Sequence, residues 1–187
     1  MYETSDIRNG LKVEVDGQPY TVTYFQFVKP GKGTAFTRTK LKGLISGNTL
    51  DRTFRTGEKL PPADIEEKEM QYLYDEGDTR VFMDTESYDQ ITIANKVLGN
   101  DAKWLQDEMM VNVLFWRGNP INIDLPNFVE IEIEYCEPGV RGNTAQGASK
   151  VAELMGGATV NVPLFVEQGE TIKIDTRTGA YVERVRK

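Results

Sequence analysis

From Phe128 to Tyr135 the chain alternates strictly: Val129, Ile131, Ile133 and Tyr135 are interleaved with Glu130, Glu132 and Glu134. A period of two places successive side chains on opposite faces of a strand, here one apolar and one acidic. Shorter runs of the same kind recur along the sequence, and no segment sustains the 3.6-residue period of a long helix. A parallel α/β arrangement needs crossover helices between its strands, so the pattern argues against one. The expected fold is all-β.

The alternating runs fall into three groups. Leu11, Val13 and Val15 face Tyr20, Val22 and Tyr24 across the turn signal Asp16-Gly17, which reads as a hairpin. Ala35, Phe36 and Leu41 continue the pattern, and after Gly43 to Gly47 another run covers Thr49 to Phe54. Four or five short strands within about 60 residues suggest a small, nearly closed barrel. Pro61-Pro62 interrupts the alternation and marks a boundary.

The second group opens at Met70, Tyr72 and Tyr74, turns at Asp75-Glu76-Gly77-Asp78, and returns through Val81-Phe82-Met83 to Ile91 and Ile93. A short helix is expected over Asn100 to Asp107, capped by Asn100 or Asp101. A strand over 109–116 and a turn at Gly118-Asn119-Pro120 complete the inventory of an OB-type barrel. The third group starts at Phe128, crosses a small-residue loop from Pro138 to Ser149, and ends with runs at Ala158 to Val166, Thr171 to Ile174 and Tyr181 to Val185. Three domains are expected, 1–62, 63–127 and 128–187.

The 187 residues are 39% hydrophobic and 27% charged, enough apolar material for packed cores in one domain or two to three small ones. Histidine is absent and Cys136 is the only cysteine, which excludes histidine-dependent triads, a CxxC redox pair, a Cys/His zinc site and any intramolecular disulfide. No apolar run approaches the roughly 20 residues that span a bilayer, and the first residues lack a basic-then-apolar leader. A cytoplasmic, membrane-free monomer is the expectation.

Net charge is −7, but it is unevenly spread. Residues 1–62 hold ten Lys/Arg against six Asp/Glu, residues 63–127 five against fourteen, and residues 128–187 seven against nine. Phosphate binding is carried chiefly by Lys and Arg, so an anionic partner is expected at the first segment, with a chance partition of surface charges as the alternative reading.

Acidic clusters at Asp64, Glu66, Glu67 and Glu69, and at Asp75, Glu76 and Asp78, could in principle serve acid-base chemistry or a divalent metal. Solvated turns account for them more simply, and the second cluster lacks EF-hand spacing. Cys136 has no histidine to activate it and reads as a packing residue. No catalytic residue, no metal site and no cofactor is expected; the chain is not read as an enzyme.

Lys29-Pro30-Gly31-Lys32-Gly33 differs in kind. It lies between two alternating runs of the basic segment, Gly31 and Gly33 permit a sharp exposed tip, and Arg38, Lys40 and Lys42 follow on the next strand. It has neither Walker spacing nor a following helix. Spacing alone leaves two readings open, a cationic side chain presented to an anionic partner and an ordinary hairpin turn with a solvated lysine.

Extended to Lys29-Pro30-Gly31-Lys32-Gly33-Thr34-Ala35-Phe36, the motif resembles bacterial translation elongation factor P. A second stretch agrees: Lys150-Val151-Ala152, Gly157, Val160, Val162-Pro163, Val166 and Gly169 resemble that family's C-terminal signature. So do Ala102-Lys103-Trp104-Leu105, Pro126 to Glu130 and Asp175 to Tyr181, so that the resemblance spans the chain.

The resemblance implies three small barrels in tandem, an SH3-like barrel of KOW type followed by two OB-fold barrels. It implies a factor that binds the 70S ribosome, through rRNA and ribosomal proteins, beside the peptidyl-tRNA and relieves stalling at consecutive prolines. Lys32 would be the tip residue reaching the peptidyl-tRNA, a site that in many members is extended by β-lysylation or another chemistry and so implies a modifying enzyme. Lys29, Pro30, Gly31 and Gly33 would support it, and Arg38, Lys40 and Lys42 would bind RNA. Gly142, Asn143 and Thr144 lie where the family commonly carries Gly-Asp-Thr, a loop associated with the exit-site codon. Asparagine replaces the aspartate here, keeping an acceptor and adding donors. A free-standing single-strand RNA-binding module and a metal-assisted hydrolase are the rival readings.

Overall fold

A computed structural model describes residues 1–139 and 148–186. The first strands are β1 (Tyr2–Glu3), β2 (Lys12–Val15), β3 (Gln18–Val28), β4 (Phe36–Gly43), β5 (Thr49–Arg55) and β6 (Lys59–Leu60). Strands β2 to β5 form a four-stranded antiparallel meander, and β1 pairs with β6. The Asp16-Gly17 hairpin forms as its sequence demands, with φ of 51° and 77° at the two turn residues.

Next come β7 (Ile65–Asp75), β8 (Thr79–Asp84), β9 (Gln90–Ala94), the single turn of helix α1 (Asn95–Leu98), β10 (Met110–Trp116) and β11 (Asn119–Asp124). Their five-stranded sheet has the order β11-β10-β7-β8-β9. The last set is β12 (Phe128–Cys136), β13 (Ser149–Leu154), β14 (Thr159–Pro163), β15 (Thr171–Asp175) and β16 (Ala180–Val185), in the order β14-β13-β12-β15-β16.

By internal packing the chain divides into two compact units, Met1–Lys68 with Val113–Asn122, and Glu69–Asn112 with Ile123–Lys187. The first unit is built on Ile7, Val13, Val22, Leu41, Phe54 and Leu60, with a smaller cluster of Leu44, Leu114 and Ile121. The second contains a core of inward residues from β12 to β15, among them Ile131, Ile133, Leu154, Val162, Ile172 and Ile174, with the Trp104 indole packed in. Each such side chain contributes about 1.5 to 3 kcal/mol on full burial. Cys136 belongs to this core, 5% exposed, with its thiol 3.9 Å from the Val166 carbonyl.

Several local expectations are corrected. The helix lies at Asn95–Leu98, and Gly99–Trp104 form a 3-10 helix that begins without a side-chain cap. Asn95 explains the displacement: its backbone N donates to Asp78 O at 2.8 Å and its Nδ2 to Gly77 O at 2.6 Å, tying the helix start to the β7–β8 turn. The turn expected at 118–120 is made by Arg117 and Gly118, both with positive φ, while Pro120 sits inside β11 at the sheet edge, where a missing donor costs no ladder bond. Tyr135 leaves the apolar face because a bulge between Ile133 and Tyr135 shifts the register, so that Cys136 is buried in its place. The sequence predicts no strand between its loop, which ends at Ser149, and the run at Ala158; β13 (Ser149–Leu154) stands there and pairs with both β12 and β14.

Candidate nucleic-acid interface

The eleven residues of β3 and the eight of β4 form a long hairpin whose connection is Lys29 to Ala35. Thr56 N donates to Ala35 O at 3.0 Å and closes the neck of the loop. Gly33 adopts φ 114°, a conformation that disfavours any side chain, whereas Gly31 does not use positive φ. The tip is therefore shaped by Pro30 and Gly33, and Lys32 between them is exposed.

Strand β4 alternates cleanly. Thr37, Thr39 and Leu41 point inward, at 3%, 3% and 0% exposure, and Arg38, Lys40 and Lys42 point outward. Two buried threonines inside a barrel are tolerable only when bonded; Thr39 Oγ1 donates to Arg52 O at 2.6 Å. The cations on the opposite face are thus held at alternate positions of a strand paired on both sides.

The register gives that face its neighbours. Arg38 stands between Gln26 and Thr53, Phe36 between Val28 and Arg55, and Lys40 between Tyr24 and Asp51. The Arg38 guanidinium carbon is 5.5 Å from the centre of the Phe36 ring and Lys40 Nζ is 5.9 Å from that of Tyr24. Sequence reasoning placed Arg38, Lys40 and Lys42 but missed Tyr24, Phe36 and Arg55, because only the pairing of strands puts them on one face. A groove of about 440 Å³ at the foot of the loop is lined by Thr34, Phe36, Thr53 and Arg55.

Among the described residues, none of Lys29, Lys32, Arg38, Lys40, Lys42 and Arg55 forms an ion pair. Elsewhere in the same unit Lys12, Arg52, Lys59, Lys68 and Arg117 each pair with a carboxylate. Unneutralised charge is concentrated on the loop and on one sheet face, the arrangement that attracts polyanions.

The acidic clusters are not gathered into a site: among the described residues no group of three Asp, Glu or Cys side chains could hold a metal. No helix there is long and apolar enough to cross a membrane. Gly142, Asn143 and Thr144 lie outside the described residues. In the second unit, Arg177 reaches Asp175 through Nε at 3.0 Å and Nη2 at 2.9 Å, and this hydrogen-bonded contact holds the Asp175 carboxyl below its ordinary range. Thr176 Oγ1 donates to Pro126 O at 2.7 Å, and a Cβ on Gly179 would stand 3.6 Å from the Trp104 ring. The stretches around 102–105, 126–130 and 175–181 are thus in contact with one another, with Trp104, Leu105, Val129 and Ile174 buried and Lys103, Asn127, Glu130 and Arg177 exposed.

Barrels built from short antiparallel strands, with a bare cationic hairpin on the first, define an all-β factor consisting of a KOW-like domain followed by two OB-type domains. Three family models match in succession: the elongation factor P KOW-like domain over residues 3–60, the elongation factor P OB domain over 65–123, and the elongation factor P C-terminal domain over 129–184. Elongation factor P of Coprothermobacter proteolyticus is 51% identical over 99% of this chain and 100% of its own length, and that of Syntrophomonas wolfei is 51% identical over the same shares. A protein named elongation factor P 2 from Protochlamydia amoebophila is 52% identical over 97% of this chain and 96% of its own. The chain belongs to the bacterial elongation factor P family, and is a translation elongation factor.

The solved structure of eukaryotic translation initiation factor 5A from Methanococcus jannaschii superposes with a TM-score of 0.53 at 22% identity, covering 66% of this chain and 93% of that one. At that identity the likeness is one of fold.

Proposed function

We propose that the protein binds the 70S ribosome, through rRNA and ribosomal proteins, beside the peptidyl-tRNA, and promotes peptide-bond formation at polyproline stretches by positioning that tRNA through the Lys32 loop. The observation that carries this reading is the exposed Lys32 at the tip of the β3–β4 hairpin, which, like Arg38, Lys40 and Lys42, forms no ion pair among the described residues. Proline reacts poorly because its ring restricts geometry. Alignment of reacting ends is worth up to roughly 7 to 11 kcal/mol in ideally oriented intramolecular cases, so a positioning contact is sufficient and no general base is required. Lys32 supplies cationic contacts to the tRNA end, and the reaction belongs to the ribosome; the protein is not itself an enzyme.

In the same reading the chain is a cytoplasmic monomer of three domains, 1–62, 63–127 and 128–187. Lys32 is the site of a post-translational extension such as β-lysylation by a partner enzyme, and Gly142, Asn143 and Thr144 meet the exit-site codon region. The test is a translation assay with and without a Pro-Pro-Pro stretch, comparing wild type with Lys32→Ala. Wild-type rescue that disappears in the variant supports the reading, and full rescue by a folded Lys32→Ala protein overturns it.

A further inference from the structure

The groove at the foot of the Lys32 loop has chemistry that the loop tip lacks. Phe36 is half-buried in it, Arg55 lies directly opposite Phe36 on β5, and Thr34 and Thr53 contribute the other two walls. Arg38 stands over the Phe36 ring, and neither Arg38 nor Arg55 has a carboxylate partner among the described residues. Asp51, the acid of this face on β5, is across from Lys40 and not in the groove.

Each part selects the ligand. An aromatic face offers stacking to any base that is free of its own stack. Guanidinium groups complement phosphate with a fork of donors, and threonine hydroxyls bond phosphate or ribose oxygens. A duplex keeps its bases stacked inside, away from such a ring, and RNA is commonly read through splayed, single-stranded bases. An acidic peptide would use the arginines but leave the ring without a role.

We infer that this groove seats one unstacked nucleotide of a single-stranded RNA, its base against Phe36 and its phosphate against Arg55. Thr34 and Thr53 supply the remaining hydrogen bonds. The inference rests on the proposed RNA contact of this face and adds a second anchoring point to Lys32.

The experiment titrates the full chain, at low salt, with a single-stranded RNA of about six nucleotides, within the range that small barrels accommodate. A duplex of equal length, an acidic hexapeptide and inorganic phosphate serve as separate arms, and backbone amide shifts are followed. The single strand is expected to shift Thr34, Phe36, Thr53 and Arg55 and to bind more tightly than the other three probes. Phe36→Leu keeps apolar volume but removes the ring, and is expected to weaken binding roughly tenfold. Arg55→Gln, at an exposed position, is expected to lower the salt slope by about 0.7, the value for one phosphate contact on a single strand.

Unchanged affinity in both variants, or equal binding of duplex or acidic peptide in the groove, overturns the inference. Lys32→Ala run through the same titration separates it from the functional reading. Groove binding that survives in a variant dead for polyproline synthesis supports both. Groove binding alongside polyproline synthesis that ignores Lys32 leaves the seat standing and removes the positioning role, whereas Lys32-dependent synthesis without groove binding does the reverse.

Discussion

Lys40 and Tyr24 are cross-strand partners on the outer face of the first barrel, and the lysine ammonium lies 5.9 Å from the centre of the tyrosine ring. A cation held over a ring keeps its charge outward while its alkyl stem covers apolar surface. The arrangement fixes where the charge of β4 stands without neutralising it, which an ion pair would do.

Neutralising that charge should alter binding and leave the fold intact. Arg38→Gln and Lys40→Gln are each expected to weaken ribosome association and to reduce the slope of log affinity against log salt by about 0.7 to 0.9, with thermal midpoints close to wild type. Filter binding or light scattering at several salt concentrations measures it. Salt slopes identical to wild type would show that these side chains meet no phosphate.

Lys32→Arg separates charge from shape. The guanidinium retains the positive charge but is planar and broader than an ammonium tip, and it is not a substrate for lysine extension. Polyproline synthesis is expected to fall well below wild type while ribosome affinity changes little; equal synthesis would mean that charge alone suffices. As an exposed substitution it should move stability by no more than about 0.5 kcal/mol.

Thr39→Val tests the hidden side of the same strand. The 2.6 Å bond from its hydroxyl to Arg52 O is removed while volume is kept. A loss of about 1 kcal/mol is expected in denaturant unfolding, the usual net worth of one intramolecular hydrogen bond. No change would mean that the hydroxyl contributes only by filling space.

Asp175 gives the second unit an acid-sensitive element. Its folded carboxyl is held below the ordinary value, first by the Arg177 side-chain hydrogen bond, so its stabilising contribution is present above the unfolded value of about 3.9 and is lost as pH falls through the lower folded value. Asp175→Asn retains an acceptor for the Arg177 backbone N, bonded at 2.9 Å, and removes the charge. Wild type should melt higher than the variant above about pH 4, with the gap narrowing on acidification. A gap independent of pH would refute the carboxylate as its origin. Circular dichroism melts between neutral and acid pH decide it.

What the sequence made legible is what depends on neighbours along the chain. The Asp16-Gly17 turn, the alternate Arg38, Lys40 and Lys42 of β4 and the exposed Lys32 tip are local properties of a few residues, whereas Phe36, read in one apolar run with Leu41, stands on the opposite face from it. The face shared by Tyr24, Phe36, Arg38 and Arg55 depends on register between three strands, and no local period encodes it. Helix α1 lies outside the stretch 100–107 that the sequence points to for the same reason, since Asn95 is anchored to Gly77 and Asp78, far back in sequence. The bulge between Ile133 and Tyr135 inverts which side chain is buried, and the alternating pattern before it gives no warning.

The burial of Cys136 has a use beyond packing. With one native thiol, and that one shielded at 5% exposure, the chain is close to a blank background for thiol chemistry. A fluorophore or spin label placed on a cysteine introduced at an exposed site would report from that site alone, so distances to labelled ribosomal components could be read without first engineering the native thiol away.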